Sequence, residues 1–137
     1  MSDTRYALSA DLPMDLPAAR VVVTELLKQE GFGILTEIDL QATLKAKIGA
    51  EVDPYLILGA CSPRFAHQAL QKEEAVGILL PCNVALKQVR PGLTRVWLTR
   101  VPGLFGLVDN ADMGPIAVQV GGAMEKVIEE LRRTAQA

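Results

Sequence analysis

The run Pro54-Tyr55-Leu56-Ile57-Leu58-Gly59-Ala60-Cys61-Ser62-Pro63 constrains the fold more than any other stretch of this chain. Tyr55 to Ala60 is almost continuously apolar, which predicts a strand buried on both faces or central in a sheet. Proline opens it. Ser62-Pro63 closes it with a helix start, a capping hydroxyl followed by proline at the first helical position. A helix is therefore expected to about Glu73. Such a strand needs covering layers, and 137 residues, half of them hydrophobic and 22% charged, suffice for one domain with one core over residues 1–137.

The rest of the chain supplies those layers. Tyr6 to Ala10 reads as a first strand. Asp15 reads as a helix N-cap, with Pro17 in the first turn and Leu16, Ala19, Val22, Val23, Leu26 and Leu27 at helical spacing up to a C-capping Gly31. Phe32 to Ile38 reads as a strand, with Phe32, Ile34, Thr36 and Ile38 on one face and Gly33, Leu35 and Glu37 on the other. Asp39 caps a short helix, Leu40 to Lys47, closed by Gly49. Val76 to Arg90 reads as one long strand in which Pro81 marks a bulge or an edge. Pro91-Gly92 turns it back into Leu93 to Thr99. Arg100 to Gly114 reads as irregular. A last helix starts at Pro115 and runs to about residue 134, with a stripe of Ala117, Val120, Met124, Val127 and Leu131. Gly121-Gly122 costs this helix about 1 kcal/mol per glycine relative to alanine, which implies close packing or a local break. The order β-α-β-(short α)-β-α-β-β-α predicts an α+β domain, a mostly antiparallel sheet with helices on one face.

Three blocks in this order resemble the signatures of a known family. They are Gly31 to Asp39 (GFGILTEID), Tyr55 to Pro63 (YLILGACSP) and Gly77 to Val84 (GILLPCNV). The stretch from Tyr6 to Thr99 is similar to domain-of-unknown-function family 302 (DUF302). The resemblance implies a small TBP-like α+β fold with a curved antiparallel sheet, often as a homodimer, and implies no activity. After Thr99 the chain departs from the family's usual short Asp-Pro stretch and carries a glycine-rich segment instead.

The candidate chemistry centres on two cysteines, each beside a proline. Cys61 ends the apolar strand just before a helix N-terminus, where the helix dipole lowers a thiol's pKa. Cys82 falls on an apolar face. A redox pair needs their Cα atoms about 4.4–6.8 Å apart, and two packed core thiols need no special arrangement. A metal site would draw on Cys61, Cys82 and His67, with Glu37 in reserve, or on the two thiolates alone for copper(I). Glu37, at the end of its strand, is placed near Cys61 if the two strands pair. Tyr55 shares a strand with Cys61. The expected ligand set is thus Cys61, Cys82, Glu37 and Tyr55. Phe105, in the apolar segment Leu104 to Val108, reads as a pocket wall, a lid or a dimer contact. Trp97 reads as sheet packing.

Other classes are excluded on composition. With 14 basic and 16 acidic residues the net charge is −2, without the Lys/Arg cluster that nucleic-acid binding requires. The N-terminus lacks a basic start followed by an apolar stretch, and no apolar run is long enough to span a bilayer, so a cytoplasmic location is expected. Gly103-x-x-Gly106 is too short for a phosphate loop and lacks its lysine. The sequence therefore points to a non-enzymatic module, a homodimer binding a small molecule or a metal ion beside Cys61, Cys82 and Glu37. The alternatives are a thiol-based redox or sulfur-handling protein and a purely structural dimerisation domain.

Overall fold

Five strands form one antiparallel sheet in the order β1-β5-β4-β3-β2. The computed structural model describes residues 3–136. The strands are β1 (Ala7–Leu12), β2 (Gly33–Asp39), β3 (Tyr55–Cys61), β4 (Cys82–Arg90) and β5 (Leu93–Thr99). The helices are α1 (Leu16–Gln29), α2 (Leu40–Ile48), α3 (Pro63–Lys72), α4 (Val101–Phe105) and α5 (Gly114–Gln136). The molecule is a single-domain α+β protein. The apolar strand β3 lies inside the sheet between β2 and β4, as its composition predicts.

Alternation splits each strand between two faces. Leu8, Ala10, Leu12, Leu56, Leu58, Ala60, Cys82, Val84, Leu86, Val96 and Leu98 are buried with Val23 and Leu27 of α1 and Met124, Val127, Ile128 and Leu131 of α5. This covered face holds the core. On the other face Tyr55, Ile57, Ala85, Lys87 and Trp97 are only half-buried. The helix α2 buries no residue of its own and borders that open face.

Local capping signals act where expected at Gly31 and Asp39 and not at Asp15 or Ser62. Gly31 takes φ +83°, and the amides of Gly31 and Phe32 bond back to Lys28 and Leu27, a Schellman closure that only a left-handed residue allows cheaply. Asp39 caps α2 through Ala42 N–H at 3.0 Å. Asp15 does not cap α1. Its carboxylate accepts from Gly92 N–H (2.7 Å) and Gln88 Nε2 (3.0 Å), while Gln88 Oε1 accepts from Leu16 N–H (3.0 Å). The cap of α1 thus comes from β4. Ser62 stands at the N-cap of α3 without a side-chain cap bond.

The long strand 76–90 is shorter than its sequence suggests. Glu74–Leu79 forms a 3₁₀ helix, and β4 begins at Cys82, opposite Ala60. Strand β3 turns into α3 just beyond Cys61, so nothing remains for residues 76–81 to pair with. Ile78 is 88% exposed there. Pro81 sits before β4, not within it. The face assignment of β2 also changes. A bulge between Ile34 and Thr36 inserts Leu35, so Ile34 opposes Ala60 on the covered face while Thr36 and Ile38 oppose Gly59 and Ile57 on the open one.

The segment 100–114 is ordered into α4 and a 3₁₀ turn at Ala111–Met113. Gly103 is required there, because a Cβ would collide with the carbonyl oxygen of Arg5. The helix α5 begins at Gly114 and is unbroken through Gly121-Gly122. A Cβ at Gly121 would come within 3.0 Å of Pro102 Cδ, so close packing on α4 explains this glycine. Among the described residues, no helix is long and apolar enough to cross a membrane.

Candidate ligand-binding site

Both cysteines border one hollow on the covered side of the sheet. Cys61 ends β3 opposite Gly33, and Cys82 opens β4 opposite Ala60. Around them stand Phe32, Phe65, Phe105, Leu80, Ile116 and Val120. The three phenylalanines of the chain thus gather here, and Phe105, 5% exposed, is a wall of this hollow. The free volume is about 20 Å³. That is room for one water at most, and the lining gives a water almost nothing to bond to.

The thiols are free. Burial pushes the Cys61 thiol up, against the lowering expected from a helix start. Burial, and then the charge of Cys61, push Cys82 up to about 11. Neither sulfur is held as a thiolate near neutral pH, which is the form that attacks a disulfide or binds a metal.

The other sequence-derived candidates lie elsewhere. Glu37 opposes Leu58 on β3 and does not line the hollow. Arg20 of α1 grips it with two bonds of 2.8 Å and holds its carboxyl below the usual value. His67 is exposed on α3. Among the described residues no three His, Cys, Asp or Glu side chains gather to hold a metal ion, so Cys61, Cys82 and His67 do not form a ligand set. Tyr55 sits at the far end of β3 from Cys61, about 20 Å along the strand.

Tyr55 instead belongs to the open face. Its ring stacks on Trp97 of β5, with centroids 6.3 Å apart and planes 21° apart. Strand β4 runs between β3 and β5, and Ala85, opposite Trp97 on β4, is small enough to leave space for the two rings. A cleft of about 380 Å³ opens beside this pair, lined by Thr4, Tyr6, Ala7, Tyr55, Asn83, Ala85, Trp97, Leu98 and Thr99. Thr99 Oγ1 donates to the Asn83 carbonyl (2.8 Å) and ties the floor of the cleft together. A second cleft, about 570 Å³, lies on the other side of Tyr55 against Leu40, Leu44, Val52 and Lys87. Tyr6, Asn83 and Thr99 are not among the residues the sequence singles out, and Trp97, expected in sheet packing, packs on Tyr55. The signal was there in parity, since residues 55, 83, 85, 97 and 99 are all odd, but it becomes readable only once the strand register is fixed.

The sequence pattern of the family described as domain of unknown function DUF302 matches residues 8–131. The chain belongs to the DUF302 family. The match runs beyond Thr99 through α4 and into α5, further than the three signature blocks reach. Among solved structures, this DUF302 chain is similar to the crystal structure of an uncharacterized conserved DUF302 protein from Bacillus stearothermophilus. The likeness covers 94% of this chain and 100% of that one, with a TM-score of 0.84 and 25% identity. No curated protein matches.

Proposed function

We propose that this DUF302 protein is a non-enzymatic binding module whose small-molecule site is the cleft beside Tyr55 and Trp97, not the cysteine hollow. Volume rules out the hollow, and the paired rings of Tyr55 and Trp97 favour this cleft over its neighbour of about 570 Å³, which Trp97 does not line. Sites for small molecules occupy about 300–1,000 Å³ and combine apolar walls with a few polar groups. The cleft, at about 380 Å³, meets that description. The hollow, at about 20 Å³, is an imperfection of core packing. The thiol-based alternative loses support because burial raises both sulfur pKa values. Trp97 is the chain's only tryptophan and supplies a local probe. Titrating isotope-labelled protein with a chemically mixed fragment set, and following the single indole N–H signal, tests the site. Saturable shifts of that signal are expected. A set that leaves it unmoved overturns the reading.

A homodimer is the second reading. Leu35, Ile38, Ile48 and Val52 are exposed apolar side chains of β2, α2 and the stretch after α2, the side of the molecule toward which the open face extends. A second copy is the partner such a patch suits.

A further inference from the structure

We infer that the cleft accepts a flat, uncharged heteroaromatic ring with an amide-like edge, the chemistry of a nucleobase. The inference rests on the cleft being the binding site and names what it takes. The aromatic residues of the chain are partitioned by type. Both tyrosines and the one tryptophan line this cleft, whereas the phenylalanines line the hollow. Tyr55 and Trp97 stack on one another, and the exposed Tyr6 stands beside them, an aromatic surface that suits a planar partner.

The polar groups narrow the class. None of the nine lining residues is ionisable in the neutral range, and none carries a formal charge. Arg100 reaches the rim, where it donates to the Thr4 carbonyl at 3.1 Å, and the lining itself offers a charged ligand group no counter-ion. The neutral groups, in contrast, are available. Among the described residues the Asn83 carboxamide, the Tyr6 and Tyr55 hydroxyls and the Trp97 indole N–H make no hydrogen bond. Asn83 is exposed and offers an N–H donor beside a C=O acceptor. That pair is complementary to a ring edge in which a donor and an acceptor are adjacent, the geometry by which asparagine reads adenine. Thr4 Oγ1 accepts from the amides of Tyr6 (3.2 Å) and Ala7 (2.9 Å), which leaves its proton to donate.

The base alone carries recognition in this arrangement, so a phosphate adds little. The test follows the Trp97 indole N–H signal of the full chain during titration with inosine, thymidine, inosine monophosphate and methyl glucoside. Saturable shifts are expected with the two nucleosides. The monophosphate is expected within about threefold of inosine at any salt concentration. Asn83→Asp keeps the side chain's size and loses its donor, and weakens nucleoside binding about tenfold. Tyr6→Ala, at a side chain 67% exposed, leaves the fold intact and also weakens binding. Binding of methyl glucoside or other fragments without the nucleosides overturns the ligand class and leaves the site standing. A signal unmoved by nucleosides and by the mixed fragment set overturns the site itself. Nucleoside binding that Asn83→Asp does not change overturns the role of the amide edge.

Discussion

Single residues on α5 separate conformational cost from packing need. Gly121 and Gly122 are neighbours with the same helical penalty, yet only the first has a reason to be glycine. A Cβ at Gly121 meets Pro102 at 3.0–3.1 Å, whereas one at Gly122 meets nothing within 4 Å. Gly122→Ala is therefore expected to raise stability by about 0.5–1 kcal/mol in urea unfolding. Gly121→Ala is expected to gain less or to lose, because Pro102 must yield. Equal gains at both positions would mean that α4 does not press on α5. Cys82 gives a second test at this scale. Its folded pKa, about 11, lies above the ordinary 9.0, so between those values the unfolded chain loses a proton that the folded chain keeps. Stability is whole below about pH 9 and falls as pH rises toward 11, by an amount on the order of 2 kcal/mol. Replacing Cys82 with alanine flattens this slope and leaves what Cys61 contributes, and stability curves at pH 8, 9.5 and 11 measure it. A flat profile in the native protein contradicts the burial of that thiol.

Elements are joined by bonds that no local pattern announces. The edge of β1 shows this well. Ser9 turns its N–H and C=O outward, where another strand would pair. Asp3 Oδ1 accepts the N–H at 3.0 Å, and Arg132 of α5 donates to the C=O at 3.0 and 3.2 Å while holding Asp3 at 2.9 and 3.1 Å. An ion pair from the two ends of the chain thus closes an edge that is otherwise a template for aggregation. The Ser9 amide, then desolvation in the opposite direction, then Arg132 set the Asp3 carboxyl, with the net result below its usual value. Its contribution is therefore present above about pH 4 and is lost as pH falls through the lowered value. Arg132→Met is expected to speed amide exchange in β1 and to promote association as pH is lowered, read by hydrogen exchange and light scattering. Unchanged exchange in β1 would remove the edge role. The pairing of Asp3 with Arg132 spans 129 positions and leaves no trace in periodicity. The same is true of Gln88 capping α1. Asp39, Gly31 and the apolar β3 were legible because their partners lie within a few residues, or because burial needs no particular partner. The bulge at Leu35 was not legible, since one inserted residue reverses every later side chain on β2 without altering its composition.

At the scale of the whole molecule, the two faces of the sheet divide the work. The covered face absorbs the aliphatic stripes of α1 and α5, and the open face keeps the aromatic residues with polar tips. Proline-flanked cysteines stand out in a sequence, whereas Tyr6, Asn83 and Trp97 converge only through the register β1-β5-β4. The family match adds the fold and its extent. Leu35 and Ile48 are 65% and 74% exposed, so lysine at both positions is expected to change stability by less than about 0.5 kcal/mol each. If two copies meet there, Leu35→Lys with Ile48→Lys shifts the sedimentation profile to monomer and weakens association at least about tenfold, since two ammonium groups from each copy must then be buried without partners. The same variant leaves nucleoside binding in place, because neither residue lines the Tyr6–Trp97 cleft. A native chain that sediments as a monomer at high micromolar concentration rules the dimer out. A dimer that survives both lysines places the contact elsewhere. If nucleoside and dimer exclude one another, the second copy lies over Tyr55 itself, and indole shifts measured at increasing protein concentration will show the cleft filling with protein before any ligand is added.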